Sequence, residues 1–195
     1  MLQADLHPHL DLGQFPARRE AAYCQAQRQA CTLGNGFLEV RINFERSHAQ
    51  SAQFLNKVTG EEIALEFRPF HAWFDDGELS GDEAKLVDLE ARCTAESASV
   101  TTLLTYAWFD VESSLVLRRG DPFVQKRLLL RNFRKTARLR RLSLFTHQVS
   151  PRYELVRHEG GMYYPVVFLR ARKGGLFFCL DFPCYFSKID GHLLT

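Results

Sequence analysis

The sequence predicts an all-β protein: an antiparallel β-sandwich, with little helix. Apolar and polar residues alternate with period two in segment after segment. Turn signals recur at roughly ten- to fifteen-residue spacing, with no long helical period after Gln27. Sixteen Phe against two Met and two Trp fit a sheet-rich core.

In GFLEVRINFE, Leu38, Val40, Ile42 and Phe44 share one face, and Glu39, Arg41, Asn43 and Glu45 the other. KLVDLEARCT sets Val87, Leu89, Ala91 and Cys93 against Asp88, Glu90, Arg92 and Thr94. The pattern returns through Leu104, Tyr106 and Trp108, then through Val124, Leu128 and Leu130. Half-buried strands of this kind belong to antiparallel sheets. Turns are expected at LGNG (33–36), VTGEE (58–62), DDGELSGDE (75–83) and RRGDP (118–122). Val166 to Leu169 and Leu176 to Leu180 flank RARKGG as the arms of a hairpin. Both arms are apolar on both faces, so one face meets an opposing sheet and the other seeks cover. PARREAAYCQAQ, 16–27, reads either as a helix or as an irregular lead-in. Residues 1–26 are thus a lead-in and 27–195 a single β-sandwich domain.

At 195 residues the chain buries roughly 70% of its unfolded surface, enough for a core without disulfides. Its 25 Lys and Arg nearly balance 23 Asp and Glu, so no whole-molecule field draws it to nucleic acid or a membrane. The N-terminal segment lacks a secretion signal's basic start and apolar run, and no stretch is apolar enough to span a bilayer, which makes a cytoplasmic location the expectation. Cys24, Cys31, Cys93, Cys179 and Cys184 are odd in number and contain no CxxC, consistent with reduced, partly buried thiols.

No nucleotide fingerprint, HExxH, GxSxG or paired metal-ligand spacing occurs, so neither cofactor nor metal is expected. RNFRKTARLRR, 131–141, reads as a solvated hairpin turning around Lys135 and Thr136, because the stacking aromatics of a nucleic-acid surface are not interleaved with it. His71, His147 and His158 fall in or beside strands and read as polar residues at sheet rims or loops. A His with a carboxylate, as His158 with Glu159, would be needed for acid–base chemistry. FHAWFDDGE, 70–78, has two readings. Trp73 either packs inward on a strand that ends in an acidic turn, or stacks on a pyranose while Asp75 and Asp76 accept its hydroxyl hydrogen bonds.

Four phrases, TLGNGFLEVRINF, FLNKVTGEEI, LLTYAWFDVESSLVLRRGDPFVQKRLLLRNF and YYPVVFLRARKGGLFFCLDFP, resemble the N-terminal domain of α-galactosidase-like (melibiase-type) glycoside hydrolases. That domain is a galactose-mutarotase-like supersandwich, and the resemblance runs from about Gln27 to about Ile189. It implies a non-catalytic sandwich, the N-terminal part of a longer enzyme, packing on a (β/α)8 barrel supplied in cis or in trans. The family's two catalytic aspartates lie on that barrel of roughly 250 residues, so no catalytic residue carries over to this chain. A sandwich loop lent to the sugar pocket is placed at Trp73, Asp75 and Asp76. The alternatives are a free-standing aldose 1-epimerase-like enzyme using His and Glu, or a carbohydrate-binding module. An apolar face left uncovered by a barrel would join copies of the chain to one another.

Overall fold

The protein is described from a computed structural model, which covers residues 20–27, 29–45, 48–68, 71–80, 84–143, 146–158, 166–178, 189–190 and 193–194. Among these residues every regular element is a strand and every pairing is antiparallel. The strands are β1 (Tyr23–Gln27), β2 (Ala30–Gly34), β3 (Leu38–Glu45), β4 (His48–Asn56), β5 (Glu61–Arg68), β6 (His71–Phe74), β7 (Gly77–Ser80), β8 (Lys85–Cys93) and β9 (Ser97–Thr105). There follow β10 (Asp110–Arg118), β11 (Gln125–Arg131), β12 (Leu139–Ser143), β13 (Thr146–Val149), β14 (Glu154–His158), β15 (Val166–Arg170), β16 (Gly175–Phe178), β17 (Ile189–Asp190) and β18 (Leu193–Leu194).

An eight-stranded sheet runs β1-β2-β3-β4-β5-β13-β18-β17, and a four-stranded sheet runs β11-β10-β9-β8. Two three-stranded sheets, β12-β6-β7 and β14-β15-β16, accompany them among the described residues. One face of the large sheet supplies most of the core. Val40 lies opposite Phe54 and Phe54 opposite Ile63, while Ile42, Ala52, Leu65 and Val149 form the next row. Near β2 and β3 this face packs on Ala98, Val100 and Leu117 of the four-stranded sheet. Near β5 and β13 it packs on Leu155, Leu169, Leu176 and Phe178 of the β14-β15-β16 sheet. Phe54 touches both clusters. A third cluster joins Ala72, Phe74 and Leu79 of the β12-β6-β7 sheet to Leu104, Phe109 and Val111.

Local chemistry fixes the turns. Asn35, fully buried in LGNG, accepts from the Phe37 and Leu38 amides at 2.8 and 3.0 Å and donates to the Arg118 and Asp121 carbonyls at 2.6 and 2.8 Å. One side chain thereby latches two turns of opposing sheets. Gly60, at φ 69°, supplies the left-handed residue of VTGEE.

Several expectations need correction. Tyr23–Gln27 is strand β1, so the helical reading of 16–27 fails there, and the sheet begins within the expected lead-in. In β8 a bulge between Leu86 and Asp88 turns Leu86 toward the core and leaves Val87 60% exposed. Cys93 keeps the inner face with Leu89 and Ala91 but is exposed at the end of the strand. Beyond β9 a turn closed by the Tyr106 amide on the Phe109 carbonyl buries Phe109 in place of Trp108. In DDGELSGDE Asp75 and Asp76 form a turn and Gly77–Ser80 is strand β7; residues 81–83 lie outside the described residues. The segment 131–141 is no hairpin: β11 pairs with β10 and β12 with β6, so it crosses from one sheet to another.

The β15–β16 hairpin is as expected through Phe178; Cys179 and Leu180 lie outside the described residues. Val167 and Leu169 are buried, whereas Phe168 and its register partner Phe177 are 44% and 53% exposed on the other face.

Candidate functional site

Strand β6 sends Ala72 and Phe74 into the core and His71 and Trp73 outward. Trp73 therefore does not pack inward, and it does not lie bare. His71 stacks on it with centroids 4.0 Å apart and planes 2° apart, and the Arg141 guanidinium, from its register partner on β12, lies 4.7 Å from the ring centroid. His71 Nε2 is 3.4 Å from Glu78 Oε2, an ion pair only when the imidazole is protonated.

Phe74 and Gly77 face each other across a two-residue loop of Asp75 and Asp76, and Gly77 takes φ 152°, a conformation suited to glycine. Each carboxylate is met by a cation, Asp76 by Lys135 of the connection between β11 and β12 and Asp75 by Arg140 of β12 itself. Arg140 is the extra residue where the β12 register shifts between Leu139 and Arg141, and its guanidinium bonds Asp75. Lys135 bonds Asp76 at 2.6 Å while its ammonium sits 3.1 Å from the Trp108 ring centroid. The Lys135 hydrogen bond, before all else, holds the Asp76 carboxyl below the ordinary carboxylate range. The Asp75 amide also donates to the Arg138 carbonyl at 3.2 Å.

That connection encloses an open depression of about 430 Å³ lined by Phe133, Arg134, Lys135, Thr136 and Ala137. Phe133 is 52% exposed and stacks on buried Phe109 at 5.3 Å. The loop is held by Asp110, which is buried and accepts from Arg134 at 2.6 Å, Asn132 at 2.8 Å and Thr105 at 3.0 Å. The Arg134 and Asn132 hydrogen bonds are the main reasons the Asp110 carboxyl is held below its ordinary range. Asn132 adopts the left-handed φ of 55°, a conformation Asn tolerates, and Arg134 reaches on to the Tyr106 carbonyl at 2.9 Å. The fold thus brings Asp76 into contact with Lys135, one of the residues lining the depression beside Phe133, and Asp75 into contact with Arg138 and Arg140. Trp73 lies on the outer face of the adjoining sheet. Phe133 and Lys135 were not among the expected site residues, and the exposed aromatic within the basic run was their signal.

A second polar group lies inside the sandwich. His147 is buried on the inner face of β13, two residues from Val149, so the expectation of a rim or loop position fails for it. Burial, and secondarily the nearby Lys126 charge, push its pKa down to about 3. Lys126 lies on the inner face of β11 between Val124 and Leu128. As a whole residue it is half-buried, but its ammonium is enclosed, and desolvation lowers its pKa to about 8. His71 and His158 lie in β6 and β14 as expected; the His158 side chain and Glu159 are outside the described residues.

No group of three or more His, Cys, Asp and Glu side chains arranged to hold a metal occurs among the described residues. Among the described residues there is no helix long and apolar enough to cross a membrane. No protein-family model matches the sequence, and no curated protein matches it.

Proposed function

We propose that the chain is a non-catalytic β-sandwich domain of an α-galactosidase-like glycoside hydrolase, and that it presents a carbohydrate to a catalytic barrel through the surface around Asp75, Asp76 and Phe133. The observation that carries this reading is the contact of Asp76 with Lys135, which lines the Phe133 depression, beside the Asp75–Arg140 pair. A pyranose has an apolar face for an aromatic ring and hydroxyls for carboxylates and cations, and this surface offers both. The all-antiparallel fold agrees with the sandwich that the sequence resemblance implies. The exposed pair Phe168 and Phe177 is the candidate docking face for the barrel.

Intrinsic fluorescence tests the sugar reading, because Trp73 and Trp108 are the chain's two tryptophans and both adjoin the surface. Titration with methyl α-galactoside and other pyranosides is expected to give a saturable change that Phe133→Ala abolishes. An unchanged spectrum across the panel rejects the reading. In the same preparation no hydrolysis of an aryl α-galactoside is expected. Turnover lost on mutating a residue of this chain overturns the non-catalytic assignment.

A further inference from the structure

We propose that Cys24 and Cys93 form a redox-responsive dithiol, oxidised by a low-molecular-weight disulfide to a covalent bridge between the two main sheets. Strand β1 is an edge of the eight-stranded sheet and β8 an edge of the four-stranded sheet. Cys24 pairs opposite Leu33 and Cys93 opposite Ala98, and both partners are fully buried in the cluster between those sheets. The two cysteines thus sit on facing surfaces at adjoining edges.

The backbone of β1 is tied to the end of β8 beside them. Cys93 Sγ donates to the Ala22 carbonyl at 3.3 Å, and the Ala22 amide donates to the Ala95 carbonyl at 3.2 Å. Ala22 and Cys24, two residues apart, both face the same core cluster, which sets Cys24 beside Cys93. Exposure divides their roles, since Cys93 is open to solvent, Cys24 half-buried and Cys31 buried.

The Cys93 thiolate attacks one sulfur of the small disulfide, forming a mixed disulfide and releasing one small thiol. The Cys24 thiolate then attacks the Cys93 sulfur, forming the protein bridge and releasing the second small thiol. Two protein thiols are oxidised and one small disulfide is reduced to two thiols, so the exchange balances. Burial and the neighbouring Cys93 charge raise the Cys24 pKa. Capping Cys93 removes that charge, which favours ionisation of Cys24 at the step that needs it. Cys31 lies on the same face two register positions away, but burial pushes its thiol up to about 12, which keeps it protonated.

The test incubates the whole chain with mixtures of reduced and oxidised glutathione, quenches with acid, alkylates and maps the peptides. The expected product has lost two hydrogen atoms and joins the Cys24 and Cys93 peptides, with a melting temperature roughly 5–10 °C higher than the reduced form. Cys24→Ser is expected to leave a glutathione adduct on Cys93, and Cys93→Ser to leave Cys24 unmodified. Three wild-type results overturn the proposal: a persistent adduct on Cys93 beside a free Cys24, a bridge from Cys24 to any other cysteine, or no oxidation of either residue. The wild-type peptide map decides whether or not the serine variants fold.

Discussion

Lys135 donates to Asp76 at 2.6 Å with its ammonium over the Trp108 ring, so one side chain ties the β6–β7 turn to the β9–β10 turn. Lys135→Ala is expected to shift the tryptophan emission and to weaken pyranoside binding. It should cost little stability, because the ion pair is solvated. Chemical denaturation beside a fluorescence titration separates these effects. A large loss of stability with binding retained would make Lys135 a structural residue.

Asp110 is the anchor of the same loop, accepting from Arg134, Asn132 and Thr105. Asp110→Ala leaves these donors without their acceptor and is expected to destabilise the fold by about 1–3 kcal/mol. Hydrogen exchange should quicken in 132–138 while β3 keeps its protection. Unchanged exchange in that loop would show that the carboxylate does not hold it.

Acid should weaken the fold in two stages. His147 is depressed to about 3 from an ordinary 6.5, so below pH 6.5 the unfolded chain takes up a proton that the folded chain refuses. Its stabilising contribution is complete above pH 6.5 and is lost as pH falls toward 3, at up to about 1.4 kcal/mol per pH unit. Asp110, held below its ordinary 3.8, contributes above that value and loses its contribution as pH falls further. Urea titrations at a series of pH values should show the first slope in the wild type and its loss in a folded His147→Gln variant. A flat profile between pH 6 and 4 contradicts the enclosed, neutral imidazole.

Phe168 and Phe177 are register partners, 44% and 53% exposed on the outer face of β15 and β16. The chain alone is expected to self-associate through them, and Phe168→Ser with Phe177→Ser should lower the apparent mass in sedimentation without unfolding it. A monodisperse wild-type monomer would favour a free-standing module.

Gly34 makes a local requirement of the fold visible. Tyr23, its register partner, lays its ring where a Gly34 Cβ would stand, with the phenol bonded to Glu39 on the next strand. Gly34→Ala is expected to cost about 1–3 kcal/mol by overpacking, measured by urea denaturation. Wild-type stability would mean that the Tyr23 ring swings aside freely.

Alternation was enough to identify β3, because Leu38, Val40, Ile42 and Phe44 are all buried. It failed in β8, where the bulge after Leu86 reverses the phase and no residue in KLVDLEARCT announces the extra position. The pairing of sheets was also hidden: 131–141 has a hairpin's composition, yet β11 bonds back to the preceding strand β10 and β12 to β6, far earlier in the chain. Asp75 and Asp76 were legible as an acidic turn beside aromatics, but their cations come from about sixty residues away, a distance that local pattern does not span. Lys126 was legible and passed over, since it fills the inward position between Val124 and Leu128.

The most direct test of a carbohydrate surface at Asp75, Asp76 and Phe133 is a heteronuclear NMR titration of the isolated chain with methyl α-galactoside. The account predicts saturable shifts confined to 73–78, 108 and 133–141, abolished by Phe133→Ala together with Asp76→Ala in a chain that keeps its spectrum elsewhere. Saturable shifts centred on the inner residues around Lys126 and His147, or no shifts at any amide, would contradict it.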